Sequence, residues 1–158
     1  MISRRKVRER VLQALYAHAL GGGDVGHVLE TLIRPELEGD ESAWLFGRQL
    51  LKRTIDRSQV ADDLLKSHVD NWDLSRIALV DKLLLRLALC EFLYFEDIPP
   101  KVTINEAIDI GKRYSTDNSG GFINGILDAI LAELKREGLL HKTGRGLIDT
   151  SDGWASSQ

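Results

Sequence analysis

Apolar residues return at helical spacing through most of the chain, and no stretch alternates with a period of two. Val7, Val11, Leu15 and Ala19 share one helix meridian with Leu12 beside it, which predicts a first helix from Arg4 to about Leu20. Gly21-Gly22-Gly23 ends it, because glycine accepts the left-handed exit conformation. Asp24 can cap a short second helix bearing Val28, Leu29, Leu32 and Ile33, with Pro35 as its stop. From Ser42, the set Leu45, Phe46, Leu50, Leu51 and Ile55 predicts a third helix, and Val60, Leu64, Leu65 and Val69 a fourth. Leu74 to Phe95 is the most apolar stretch and leaves little polar surface, as in a helix at the centre of a bundle. Asp73 is its expected N-cap, although Ile77-Ala78-Leu79 can also form a separate short turn. Asp97-Ile98-Pro99-Pro100 stops that helix. Thr103 with Glu106 matches a capping box ahead of a helix marked by Ile104, Ala107, Ile108 and Gly111. After the polar loop Ser115 to Gly121, a last helix runs to about Arg136 on Phe122, Ile123, Ile126, Leu127, Ile130 and Leu131. Asn105 and Asn124, between apolar neighbours, are expected as buried hydrogen-bonding residues. The fold class is all-α: a compact bundle of about six or seven helices over residues 1–138, then a flexible tail over 139–158 that contains Trp154.

Charge changes the reading of the first helix. Ser3 to Arg10 holds Arg4, Arg5, Lys6, Arg8 and Arg10 against Glu9, a charge of +4. Arg4 and Arg8 lie on or near the apolar meridian, and burying a guanidinium is costly unless it is paired. The expected arrangement therefore puts the second half of the helix in a core and lets the first half project with its cations around it. Such a segment is either a solvated terminus or an anion-binding arm, nucleic acid being the foremost candidate. The whole chain carries −3, so the remainder without the +4 arm carries −7. An acidic body with a basic tip contacts nucleic acid locally, or in company with a basic partner protein. On the third and fourth helices, Arg48, Lys52, Arg53 and Arg57 with Asp56, Asp62 and Asp63 read as solvated mixed charge.

Composition excludes several chemistries. The single cysteine, Cys90, allows no disulfide within the chain and no zinc set, and its apolar setting suits an inert thiol in a reducing cytoplasm. His18, His27, His68 and His141 are scattered without metal-ligand spacing, and Gly21-Gly22-Gly23 lacks the lysine of a phosphate loop. No convergent acid–base set suggests catalysis, so neither an enzyme, a cofactor nor a metal is expected. Ser3-Arg4-Arg5 and Ala17-His18-Ala19 imitate parts of an export signal, but Glu9, Arg10, Gln13 and His18 interrupt its apolar region. Asp81, Lys82 and Arg86 break up the best candidate for a membrane span, so no membrane association is expected.

Several segments in order resemble the NusB family of bacterial transcription antitermination factors. They are Leu85-Arg86-Leu87-Ala88 with Glu91, Asp97-Ile98-Pro99, Ile104-Asn105-Glu106-Ala107, and Ser119 followed by Phe122-Ile123-Asn124-Gly125-Ile126-Leu127-Asp128. The basic start through Glu9 and then Gln13-Ala14-Leu15-Tyr16 is similar as well. The resemblance covers residues 3–135, and its C-terminal half is the specific part. It implies two packed helical subdomains, binding to boxA-type single-stranded RNA, the ribosomal protein NusE as partner, and assembly on RNA polymerase. The family's RNA surface joins the N-terminal helix to the loop before the last helix. On matching positions this implies RNA contacts by Arg4, Arg5, Lys6, Arg8, Gln13, Asn118, Ser119 and Phe122. Gly120-Gly121 stands where the family often carries a bulky or basic pair, which removes a cation from this part of the surface. Partner contacts are implied for Tyr16, Ser75 and Asp81. The free protein is left open as monomer or as a homodimer that masks its RNA face. Two other readings stand beside this one: the detached helical domain of a ribosomal RNA cytosine methyltransferase, and a purely protein-binding helical adaptor.

Overall fold

A computed structural model of the chain describes residues 1–74 and 76–148. Among these residues no strand occurs, and the fold is all-α. Helix α1 (Arg4–Gly21) is capped by Ser3, whose side chain accepts from the Lys6 N–H, and the chain leaves it through Gly22 at φ 68°. Helix α2 (Val25–Val28), capped by Asp24, runs into a π turn (Leu29–Ile33) and on into α3 (Arg34–Leu37). Pro35 therefore does not stop the run. It sits at the start of α3, and the wider π turn resets the ladder there, with the Arg34 N–H bonding the Leu29 carbonyl. Then follow α4 (Glu41–Asp56), α5 (Ser58–Lys66), α6 (Leu79–Tyr94), α7 (Pro100–Tyr114) and α8 (Ser119–Arg136). With the continuous run 25–37 counted as one, the described residues form seven helices.

The chain divides into two compact units, Met1–Ser58 and a second beginning at Gln59. In the first unit α1 packs on α4 and on the run 25–37. Its core holds Val7, Val11, Leu15, Ile33, Leu37 and Leu50. The helices approach closely at Gly47, where an added Cβ would stand 2.7 Å from Leu37 Cδ1 and 3.2 Å from Val7 Cγ1.

In the second unit α7 and α8 pack on α6 and on each other, over Leu84, Leu85, Leu87, Phe92, Ile110, Ile123 and Leu127. Several local expectations change here. Helix α6 starts at Leu79, with Ala78 at its N-cap position, because Trp72–Leu74 forms a separate 3-10 turn. Asp73 pairs with Lys66 instead of capping. The Trp72 indole donates to Asp62 Oδ1, and Arg86 donates from Nε and Nη2 to the two oxygens of that carboxylate at 2.7 and 3.1 Å. Asp62 is thus a half-buried tie and not part of a solvated face. Helix α7 starts at Pro100, so Thr103 caps nothing. Its buried hydroxyl donates to Glu91 Oε1 at 2.7 Å. Asn105 and Asn124 are both exposed, because each points away from the apolar stripe of its helix.

The expected flexible tail begins with an ordered strap. Leu139 N–H bonds the Leu134 carbonyl, and Thr143 N–H bonds the Glu96 carbonyl. The buried Lys142 ammonium donates to the carbonyls of Glu91 and Phe95 at 2.9 and 2.8 Å, two acceptors at the end of α6. Burial pushes its pKa down to about 8, against the attraction of Glu91, Asp97 and Glu96. A Cβ on Gly146 would fall 1.8 Å from the Glu96 carbonyl oxygen, so only glycine lets the strap lie this close. Residues 149–158, Trp154 included, lie outside the described residues. Among the described residues no helix is long and apolar enough to cross a membrane.

Candidate nucleic-acid interface

The start of α1 is pinned before its cations are placed. Ile2 N–H donates to Asp40 Oδ2 at 2.8 Å, and Asp40 also caps α4 by accepting from the Ala43 N–H. These two N–H donors hold the Asp40 carboxyl below its ordinary pKa. One carboxylate therefore fixes both the chain terminus and the first turn of α4.

The basic half of α1 does not project. Val7 is fully buried, and Arg8 and Glu9 are only 3 and 4 % exposed. The solvent-facing end is the later one, where Tyr16 is 41 % and Leu20 66 % exposed. A planar, weakly hydrated guanidinium can be buried against an aromatic face. The Arg4 and Arg8 guanidinium carbons stand 4.3 and 5.4 Å from the centroid of the Phe46 ring. Arg10 bonds Gln13 Oε1 and pairs with Glu36. Arg4 and Lys6 remain exposed and Arg5 partly so, with Gln13 exposed further along. The result is a rigid cluster of cations rather than a loose arm.

At the start of α8 the expected residues separate into two kinds. Asn118 is exposed, and its side chain makes no capping bond. Phe122 is half-buried. Ser119 is 1 % exposed; its hydroxyl accepts from the Thr116 N–H and donates to Asp81 Oδ2 at 3.0 Å. Asp81 is itself buried at 6 %, and its Oδ1 has no hydrogen-bond partner. Ser119 and Asp81, expected on an RNA surface and a partner surface, thus meet inside the second unit, and neither side chain is presented to solvent. The reason is their position. Asp81 sits in the first turn of α6 and Ser119 opens α8, and helix N-termini favour a carboxylate. Ser75 lies outside the described residues.

One cation near this loop was not expected. Gly120 is buried, and a Cβ there would stand 2.9 Å from Lys112 Cε. The absent side chain lets the Lys112 stem from α7 lie across the start of α8, which brings a cation back to a loop that has none at positions 120 and 121. Helical spacing in the sequence carries no signal for that contact. Among the described residues no group of three His, Cys, Asp or Glu is arranged to hold a metal.

The model of the NusB family matches residues 5–132. The chain belongs to the NusB family. The transcription antitermination protein NusB of Salinibacter ruber is 48% identical over 148 residues, covering 94% of this chain and 92% of that protein. The solved structure of T. maritima NusB superposes with a TM-score of 0.76 at 39% identity, covering 84% of this chain and 92% of that one. A structure of the antitermination factors NusB and NusE in complex with double-stranded RNA shares the fold, with a TM-score of 0.72 at 22% identity over 80% of this chain and 94% of that one. NusB-family proteins are antitermination factors and not enzymes.

Proposed function

We propose that this chain binds boxA-type RNA, pairs with the ribosomal protein NusE, and joins an antitermination complex on RNA polymerase in the cytoplasm. The observation that carries this reading is the cation cluster at the start of α1, held rigid by the Ser3 cap and the Ile2–Asp40 bond. Positioned guanidinium and ammonium groups reach phosphates, and guanidinium planes stack on splayed bases. Membership of the NusB family, and the NusE and RNA found together in a structure of the same fold, support the choice of partners. In this reading Arg4, Arg5 and Lys6 contact phosphates directly, with Gln13, Asn118, Phe122 and Lys112 as further RNA contacts. Arg8 acts through Phe46 as a positioning residue, and Ser119 with Asp81 shapes the loop that presents Asn118. The exposed Tyr16 remains the partner contact.

The test is titration with boxA RNA and a scrambled strand, with and without NusE. Wild type should prefer boxA; equal binding of the two strands under both conditions refutes the reading. Replacing Arg4, Arg5 and Lys6 together by Gln should weaken boxA binding. The salt slope should shrink by about 2, from three lost contacts at roughly 0.7 each on a single strand. Arg8→Ala should lower the unfolding midpoint, since it empties a buried site beside Phe46.

A further inference from the structure

The outward face of α4 repeats the charge pattern of the α1 start. Between Arg48 and Arg57 stand Arg48, Lys52, Arg53 and Arg57 against the single acid Asp56. Arg48, Gln49, Lys52, Arg53 and Asp56 line an open groove of about 480 Å³. The half-buried Trp44 lies one turn before Arg48 on the same helix. Its ring has the Arg34 guanidinium 4.4 Å and the Arg48 guanidinium 5.7 Å from its centroid. Arg34 is itself paired with Glu30 and Glu38, and its role here is to stack. Leu45, 40 % exposed, lies on the same face.

We propose that this face is a second RNA surface, which takes the single strand flanking the boxA element. The inference rests on the RNA-binding reading above and extends it. Three observations select RNA as the occupant. Arg48 to Arg57 carries four cations to one acid, which complements a polyanion, while the Trp44 end adds Arg34 against Glu30 and Glu38. The guanidinium planes held against Trp44 offer flat surfaces on which bases stack without sequence preference. The tract also shares its helix with the residue on which the α1 cations rest. Arg4 and Arg8 rest on Phe46 of this same helix, and Phe46, Gln49 and Arg53 follow one another at i, i+3 and i+7. An amphipathic peptide helix is the competing occupant, but it needs a row of apolar anchors, and this face supplies Leu45 alone. From Trp44 to Arg57 the tract spans about 20 Å at 1.5 Å per residue, long enough for several nucleotides of an extended strand.

The test compares two RNAs by fluorescence anisotropy, a minimal boxA strand and the same strand extended by unrelated sequence on both sides. Wild type should bind the extended strand about tenfold more tightly. The variant Arg48→Gln, Lys52→Gln, Arg53→Gln, at one half-buried and two exposed positions of α4, should lose that gain and bind the minimal strand as wild type does. Its salt slope on the extended strand should fall by about 2. Equal wild-type affinity for the two strands overturns the proposal, as does a gain that survives in the triple variant. Loss of NusE binding with the gain intact assigns the face to protein and also overturns it. Failure of the boxA reading is read separately, from the minimal strand against its scrambled counterpart.

Discussion

Thr103 and Glu106 stand three apart, as in a capping box, yet the threonine belongs to the interior of the second unit. The pattern was legible but its meaning was not, because the partner that decides it, Glu91, lies on another helix. Removing the hydroxyl donor from a buried acceptor costs about 1–3 kcal/mol. Thr103→Val should therefore destabilise the fold by that amount in urea unfolding; an unchanged midpoint would mean that the Thr103 hydroxyl does not serve Glu91. Lys142 gives a pH test. Its folded pKa, about 8, lies below the ordinary 10.5, so between those values the unfolded chain holds a proton that the folded chain has released. Stability rises with pH wherever the unfolded state binds more protons. Relative to Lys142→Met, the unfolding midpoint of wild type should climb from pH 8 to pH 10; a constant difference would mean that the ammonium is not desolvated. That lysine looked like part of a polar tail, since the carbonyls that hold it, on Glu91 and Phe95, belong to every residue type alike.

At the scale of elements, apolar periodicity located the helices well and their surroundings poorly. Val7, Val11 and Leu15 are buried as their shared meridian predicts, and α4, α7 and α8 begin within a few residues of expectation. Ala19 on the same meridian is exposed, while Arg8 is buried. Burial depends on where the neighbouring helix crosses, and Phe46 supplies a guanidinium-compatible surface that no local rule anticipates. Of the candidate site, the cations of α1 and the polar loop before α8 could be read from sequence. The Ser119–Asp81 bond, Lys112 and the stacked Trp44 could not, since each depends on a contact across elements. The strap over residues 139–148 was hidden for a related reason: backbone bonds, the Lys142 ammonium and one glycine hold it, without an apolar stripe. Gly146→Ala cannot keep the Cβ clear of the Glu96 carbonyl. Its expected effect is faster hydrogen exchange at Thr143, with exchange in α1 unchanged. Protection at Thr143 equal to wild type would show that the strap can shift to accept a methyl group.

Over the whole molecule the charge is divided between the two units. Met1–Ser58 holds ten Lys and Arg against eight Asp and Glu, a net +2; the rest holds eleven against sixteen, a net −5. The basic residues of the first unit are those proposed for RNA, on α1 and on α4. An acidic second unit suits a basic ribosomal protein, and complementary fields act mainly on the rate of encounter. The two ligands should thus differ in their response to salt. RNA affinity should fall linearly with log salt through released counterions. Partner association should slow steeply with salt while the dissociation rate changes little. Neutralising three exposed acids of the second unit, Asp70→Asn, Asp128→Asn and Glu137→Gln, takes the formal charge from −3 to 0. This variant should associate with NusE several-fold more slowly at low salt, dissociate as wild type does, and bind RNA no more weakly. A change confined to dissociation would mean that these acids are direct contacts, and an unchanged association rate would remove the acidic unit from the encounter. The division then has a physical consequence: one chain with a small net charge can attract a polyanion and a basic protein together, because most of the cations proposed for RNA and the acids that steer the partner lie in different units.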